Sequence, residues 1–177
     1  DVYKRQVMGI AVDTTGIIFI VDQTASRIRK VGLSGIITTI AGTGNTGYNG
    51  DGLPATNTNL FFPFCVFVDT QGILYTADYS YRIIKLTTEG VMTGIAGKAA
   101  NIGFSGDGGP PTSATLGYIV DIWIDSTGTL FAVDDLYKRI RKFSIAGLGS
   151  AITTYGGTGS IDSTSDGGSA LSAEFVN

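Results

Sequence analysis

The stretch GIAVDTTGIIFIVD, residues 9–22, returns as CVFVDTQGILYTAD at 65–78 and as DIWIDSTGTLFAVD at 121–134. Asp13, Asp69 and Asp125 are therefore 56 residues apart, and Asp22, Asp78 and Asp134 keep the same spacing. A period of this kind is one supersecondary unit copied along the chain. Each copy opens on a short apolar run ending at the first Asp. A Gly-containing turn follows (TTG, TQG or STG), which is a hairpin signal. A second run rich in Ile, Val, Phe and Tyr ends at the second Asp. Outward from there, a polar turn leads to RIRKV, RIIKL or RIRKF, and a Gly turn leads to IITTIAG, VMTGIAG or AITTYGG. β-Branched and aromatic residues suit pleated surfaces, and no stretch sustains a helical period.

Four antiparallel strands per copy, repeated in line, are the pattern of β-propeller blades. Strands apolar on both faces fit this pattern, because stacked blades cover one another. The sequence thus predicts an all-β chain of about three four-stranded blades, at about 7–42, 63–97 and 119–157. The inter-blade loops, 43–62, 98–118 and 158–177, carry a second repeated block: NGDGLPATNTNL, SGDGGPPTSATL and SDGGSALSAEF. Asp51 and Asp107 are again 56 apart, but Asp107 and Asp166 are 59 apart, so three extra residues enter near Gly147–Ser150. Pro54-Ala55-Thr56 and Pro110-Pro111-Thr112 read as first turns of short helices, where Pro is favoured. Leu60, Leu116 and Phe175 read as plugs into the core.

Composition agrees and excludes several chemistries. Gly is 26 of 177 residues, about twice its ordinary share, while charged residues are only 15%. The chain has no His, so Ser/His/Asp and Cys/His catalysis and His-ligated zinc are excluded within it. Cys65 is the one cysteine, forms no internal disulfide, and lies in the apolar run FFPFCVFVD as a small core residue. Net charge is −3, which argues against a nucleic-acid face. No apolar stretch approaches the length of a bilayer span.

With these residues in view, the series resembles the NHL-repeat β-propellers, of the long-repeat type found in bacterial and teneurin-like surface proteins. The resemblance rests on the series G-[IV]-A-V-D-x-x-G-x-[IL]-[FY]-x-x-D, on the R-I-x-K-[VLF] that follows it, and on the G-D-G-G-P-A-T-x-A-x-L loop, over about residues 7–177. The family's Asn-His-Arg ahead of the third strand is replaced by Ala25-Ser26-Arg27, Ser80-Tyr81-Arg82 and Tyr137-Lys138-Arg139. Its Pro before the first strand survives as Pro63. The resemblance implies a ring of about six blades, so three make an open arc with exposed apolar end faces. Those faces call for the remaining blades or a second copy of the chain. Residues 1–6, DVYKRQ, resemble translated sequencing-library adapter and are set aside as such a scar.

The expected function is non-enzymatic recognition of a protein or glycan through loops on one face. Tyr48, Asp51, Tyr79, Tyr81, Phe104, Asp107, Tyr137 and Asp166 are the candidate recognition surface, with Phe61, Phe62 and Tyr118 as further aromatics on that face. Asp13, Asp69 and Asp125 read as acceptors of turn amides. Asp22/Arg27, Asp78/Arg82 and Asp134/Arg139 read as hairpin ion pairs. No catalytic, cofactor or metal residue is assigned. Calcium at the Gly-Asp-Gly loops is the alternative, but one Asp per loop supplies too few oxygens. A lactonase, strictosidine-synthase or amidating-lyase type of enzyme is a second function. It would need acids in the inner strands, which offer only Asp121 beside Cys65 and Gly9 at the matching positions. RNA binding is a third. Nine of the 12 basic residues surround the third strands: Arg27, Arg29, Lys30, Arg82, Lys85, Lys138, Arg139, Arg141 and Lys142. Their alternative reading is charge that solubilises an outer strand. Low charge with many Gly and Thr favours a secreted or surface setting.

Overall fold

The computed structural model describes residues 7–147, 149–161 and 167–175. Three antiparallel sheets follow one another along the chain. The first holds β1 (Val7–Val12), β2 (Ile18–Asp22), β3 (Arg27–Val31) and β4 (Ile37–Ala41) in sequence order. After β5 (Leu53–Pro54), the second holds β6 (Cys65–Val68), β7 (Leu74–Asp78), β8 (Arg82–Leu86) and β9 (Val91–Ala96). The third holds β10 (Ile119–Ile124), β11 (Thr129–Asp134), β12 (Arg139–Ser144) and β13 (Thr153–Gly156). β1, β6 and β10 lie side by side as inner strands. The architecture is an open arc of propeller blades.

The first Asp of each repeat builds its hairpin. Asp13 Oδ1 accepts from the N–H groups of Thr15 and Ile17 at 2.8 and 3.0 Å. Asp69 accepts from Gln71 and Ile73, both at 2.9 Å, and Asp125 from Thr127 and Thr129 at 2.8 and 2.9 Å. The Thr15 hydroxyl beside Asp13 and the Thr127 hydroxyl beside Asp125, together with these amides, hold both carboxyls below their ordinary range.

Alternation then divides each sheet into two faces. Phe19, Val21 and Ile28 of blade 1 close on Val66, Leu74, Ile84 and Met92 of blade 2. Tyr75, Ala77 and Ile83, on the other face of blade 2, close on Ile122, Leu130, Ala132 and Phe143 of blade 3. Leu60 and Leu116 plug these two cores and are fully buried. The outer faces of the arc stay apolar and open: Ile10 and Val12 on blade 1 are 64% and 56% exposed, and Trp123 on blade 3 is 65% exposed.

Two expectations need correction. The inter-blade segments are straps rather than free loops. Leu53 and Pro54 pair antiparallel with Met92 and Val91, adding a fifth strand along the outer edge of blade 2. Pro54 offers no N–H there, which blunts the edge. Single 3-10 turns follow, at Ala55–Asn57 and Pro111–Ser113. The basic third strands are also not outer strands. β8 and β12 lie inside their sheets, and Arg82 and Arg141 are buried between blades. No helix among the described residues is long and apolar enough to cross a membrane.

Candidate functional site at the aromatic end

At one end of the blades lie the turns between second and third strands and the returning inter-blade segments. A buried aspartate ties the two together. Asp78 accepts from the N–H of Phe61 at 3.2 Å and of Ser80 at 3.0 Å, and from Arg82 Nη2 at 3.3 Å. The N–H of Tyr79 donates to the Phe61 carbonyl at 2.7 Å. Asp134 repeats the device, accepting from Gly117 and Tyr137 N–H at 2.9 and 3.2 Å, while Asp135 N–H donates to the Tyr118 carbonyl. Burial raises both carboxyls above the ordinary aspartate range. Arg82 opposes it most at Asp78, and the Gly117 N–H does so at Asp134.

These anchors gather six rings into one slab. Tyr79 is its hub, with centroids 4.6 Å from Phe64, 5.0 Å from Tyr118, 6.1 Å from Phe61 and 6.2 Å from Phe62. Phe61 and Phe62 lie 5.2 Å apart, and Tyr81 lies 5.7 Å from Tyr118. All six are half-buried. Phe62 and Tyr81 hold left-handed backbone, with φ of 48° and 62°. That conformation costs a side-chain-bearing residue about 1–2 kcal/mol; Ser26 and Lys138, which match Tyr81 in blades 1 and 3, share it with φ of 51° and 49°, so at Tyr81 it belongs to the blade template. Burial, then the Tyr118 phenol, raises the Tyr81 hydroxyl above its ordinary pKa.

The expected surface residues divide into groups. Tyr79 and Tyr81 belong to the slab. Tyr137 borders it, within electrostatic reach of Tyr81 and 6.1 Å from Phe104. Tyr48 lies over Arg82 at 4.3 Å, and Phe104 over Arg139 and Arg141 at 3.8 and 4.9 Å. Asp51 and Asp107 sit apart, at the outer edges, where they latch onto the next blade. Asp51 accepts from Gly94 N–H at 2.9 Å and Arg82 Nη1 at 3.5 Å. Asp107 accepts from Thr154 N–H and hydroxyl at 3.0 and 2.7 Å and from Arg141 Nη2 at 2.5 Å. Asp166 lies outside the described residues. Phe64 was not on the sequence-based surface; the FFPF run that delivers it carried the signal.

Of the three hairpin pairs, Asp78–Arg82 forms an ion pair at 3.3 Å. Arg27 instead donates to the Thr43 carbonyl at 3.0 Å, and Arg139 to the carbonyls of Tyr137 and Thr158. Among the described residues no three His, Cys, Asp or Glu side chains converge as a metal site would need. Burial pushes the Cys65 thiol up to about 12. Folded protein should therefore leave it unreactive towards a disulfide reagent at mildly alkaline pH, with reaction only on denaturation. Prompt labelling of the native chain would contradict its placement.

No family model matches the chain, and no curated protein matches it. Solved structures do match. A structural genomics protein of unknown function from Bacteroides thetaiotaomicron aligns with a TM-score of 0.69 at 18% identity, over 96% of this chain and 40% of that one. An auxiliary nutrient binding protein from the same organism gives 0.60 at 11% identity, over 84% of this chain and 35% of that one. Virginiamycin B lyase from Staphylococcus aureus gives 0.55 at 18% identity, over 84% and 40%. The chain is a β-propeller arc. It spans 35 to 40% of the length of these three structures, and at such identities the likeness is one of fold.

Proposed function

We propose that the chain is the arc of an NHL-type propeller that recognises a protein partner, without catalysis, through the aromatic slab. The observation that carries this reading is the slab itself: six half-buried rings in contact. Rigid amphipathic tyrosines contribute contact area with little entropy loss, and aromatic residues dominate interface hot spots. The inner strands support the non-enzymatic part, since their matching positions hold Gly9, Cys65 and Asp121. The burial of Arg82 and Arg141 counts against an RNA-binding face, because both guanidinium groups turn inward. Peptides selected on the full chain from a displayed random library test the reading. Binders should lose at least about tenfold in affinity on Tyr79→Ala or Tyr81→Ala. Binders indifferent to both substitutions would place recognition elsewhere.

A further inference from the structure

The opposite end of the same two blades carries a second feature, independent of the slab. Between the first hairpin turns of blades 2 and 3 opens a groove of about 520 Å³. Its rims are polar, with Gln71 on one side and Ser126 and Thr127 on the other, and its floor is Phe67, Tyr75 and Ile145. A second hollow of about 280 Å³, reaching the outer rim beneath Pro110 and Pro111, shares Tyr75, Lys85 and Ile145 with it. Cavities of this size hold small ligands.

The repeat departs from its own template here. Blades 1 and 3 carry Phe19 and Phe131 where blade 2 carries Tyr75. The Tyr75 hydroxyl donates to Asp69 Oδ2 at 3.2 Å on a residue only 1% exposed. Packing alone would be met by Phe, as the other blades demonstrate. The three extra residues of the third repeat also fall here, and Gly147, Gly149 and Ser150 line the second hollow.

Ligand chemistry follows from the lining. Phe67 pairs across the strand with Tyr75, and Trp123 stands edge-on to Phe67 with centroids 5.3 Å apart. Trp123 lies outside the lining, and Phe67, Tyr75 and Ile145 form the apolar floor. Hydroxyl, amide and carboxylate groups surround it. Asp69 and Asp125 are both acidic, while Lys85 makes no ion pair among the described residues. An anion meets two carboxylates and a cation meets Lys85. A sugar ring presents an apolar C–H face and a rim of neutral hydroxyls, and matches both parts. We propose that this groove binds a neutral carbohydrate of one or two rings.

Trp123 is the only tryptophan in the sequence and its ring lies 5.3 Å from that of Phe67 in the floor, so its fluorescence reports binding through that contact. The full chain is titrated with cellobiose, maltose, diacetylchitobiose and xylobiose, with digalacturonate as the charged comparison, and saturation-transfer NMR as a second readout. At least one neutral disaccharide should saturate, and digalacturonate should bind more weakly. Tyr75→Phe, which installs the residue the other blades use, should weaken binding at least about fivefold. Ala146→Phe, which narrows the groove from an exposed position, should abolish transfer. No saturation with any of the four up to about 20 mM, which bounds even millimolar affinity, overturns the proposal. So does binding that ignores both substitutions, or digalacturonate binding at least as tightly as every neutral sugar.

Discussion

Gly97→Ala should lower the melting temperature by roughly 4–20 °C, the shift expected for a loss of about 2–5 kcal/mol in a chain of this size. Gly97 ends the fourth strand of blade 2 at a φ of +82°. An added Cβ would drive into the Tyr81 carbonyl oxygen and lie 3.1 Å from Leu116 Cδ1 and 3.2 Å from Arg82 Cα. A carbonyl in a hydrogen-bonded turn cannot swing aside as a side-chain tip can. The left-handed backbone contributes about 1–2 kcal/mol and the overlap about 1–3 more. Gly90 is the comparison. Its φ is +81°, but nothing lies within 4 Å of its Cβ position, so Gly90→Ala should show the backbone part alone. Equal melting shifts for the two variants would mean that the close approach to Tyr81 is absent. Gly42 and Gly157 repeat the contact against the carbonyls of Ser26 and Lys138, so this closure belongs to the blade template rather than to the site.

That template could be read from the chain because its determinants are local and repeated. Through Oδ1, Asp13 and its two counterparts bond to residues two to four positions on, so spacing alone identifies their hairpins. The strap was harder to read. The partners of Asp51 and Asp107 stand 43 and 47 residues later, at Gly94 and Thr154. A Gly-Asp-Gly segment looks the same whether it tips a loop or latches an edge. The slab was partly visible, as aromatics crowding the second turns and the linkers. What composition could not supply was the left-handed backbone at Phe62 and Tyr81, which aims two rings at Tyr79 and Tyr118. The basic third strands misled for a related reason. A charged strand suggests an edge, yet β12 is interior, and Arg141 is buried between blades because Asp107 arrives from the neighbouring strap to pair with it.

The Asp107 latch should accordingly be the costliest surface carboxylate to remove. Arg141 is 0% exposed, and its Nε and Nη1 have no hydrogen-bond partner among the described residues. Asp107→Ala would leave its charge buried beside Phe104, hydrogen-bonded to the Ser105 carbonyl 3.3 Å from Nη2 and with the Asp134 carboxylate in electrostatic reach but forming no ion pair with it. Breaking such a pair costs about 3–5 kcal/mol when both partners are buried. Asp107 is 43% exposed on its side chain, so the loss should fall near about 3 kcal/mol. Asp51→Ala should cost less, about 1 kcal/mol, because Arg82 keeps the buried carboxylate of Asp78 at 3.3 Å. Chemical denaturation of the two variants measures the difference, and an equal loss would refute the asymmetry. Adding Arg141→Met to Asp107→Ala should recover most of the stability, since an apolar side chain needs no counter-charge. The pH dependence follows from the same contacts. Burial opposes ionisation of Asp107, but the Thr154 hydroxyl and N–H and the Arg141 guanidinium outweigh it, so its carboxyl lies below the ordinary 3.8. Its stabilisation is therefore complete above that value and is lost as pH falls through the lower folded value. The Asp107→Asn chain should lack this part of the acid-side slope while keeping an acceptor for Thr154.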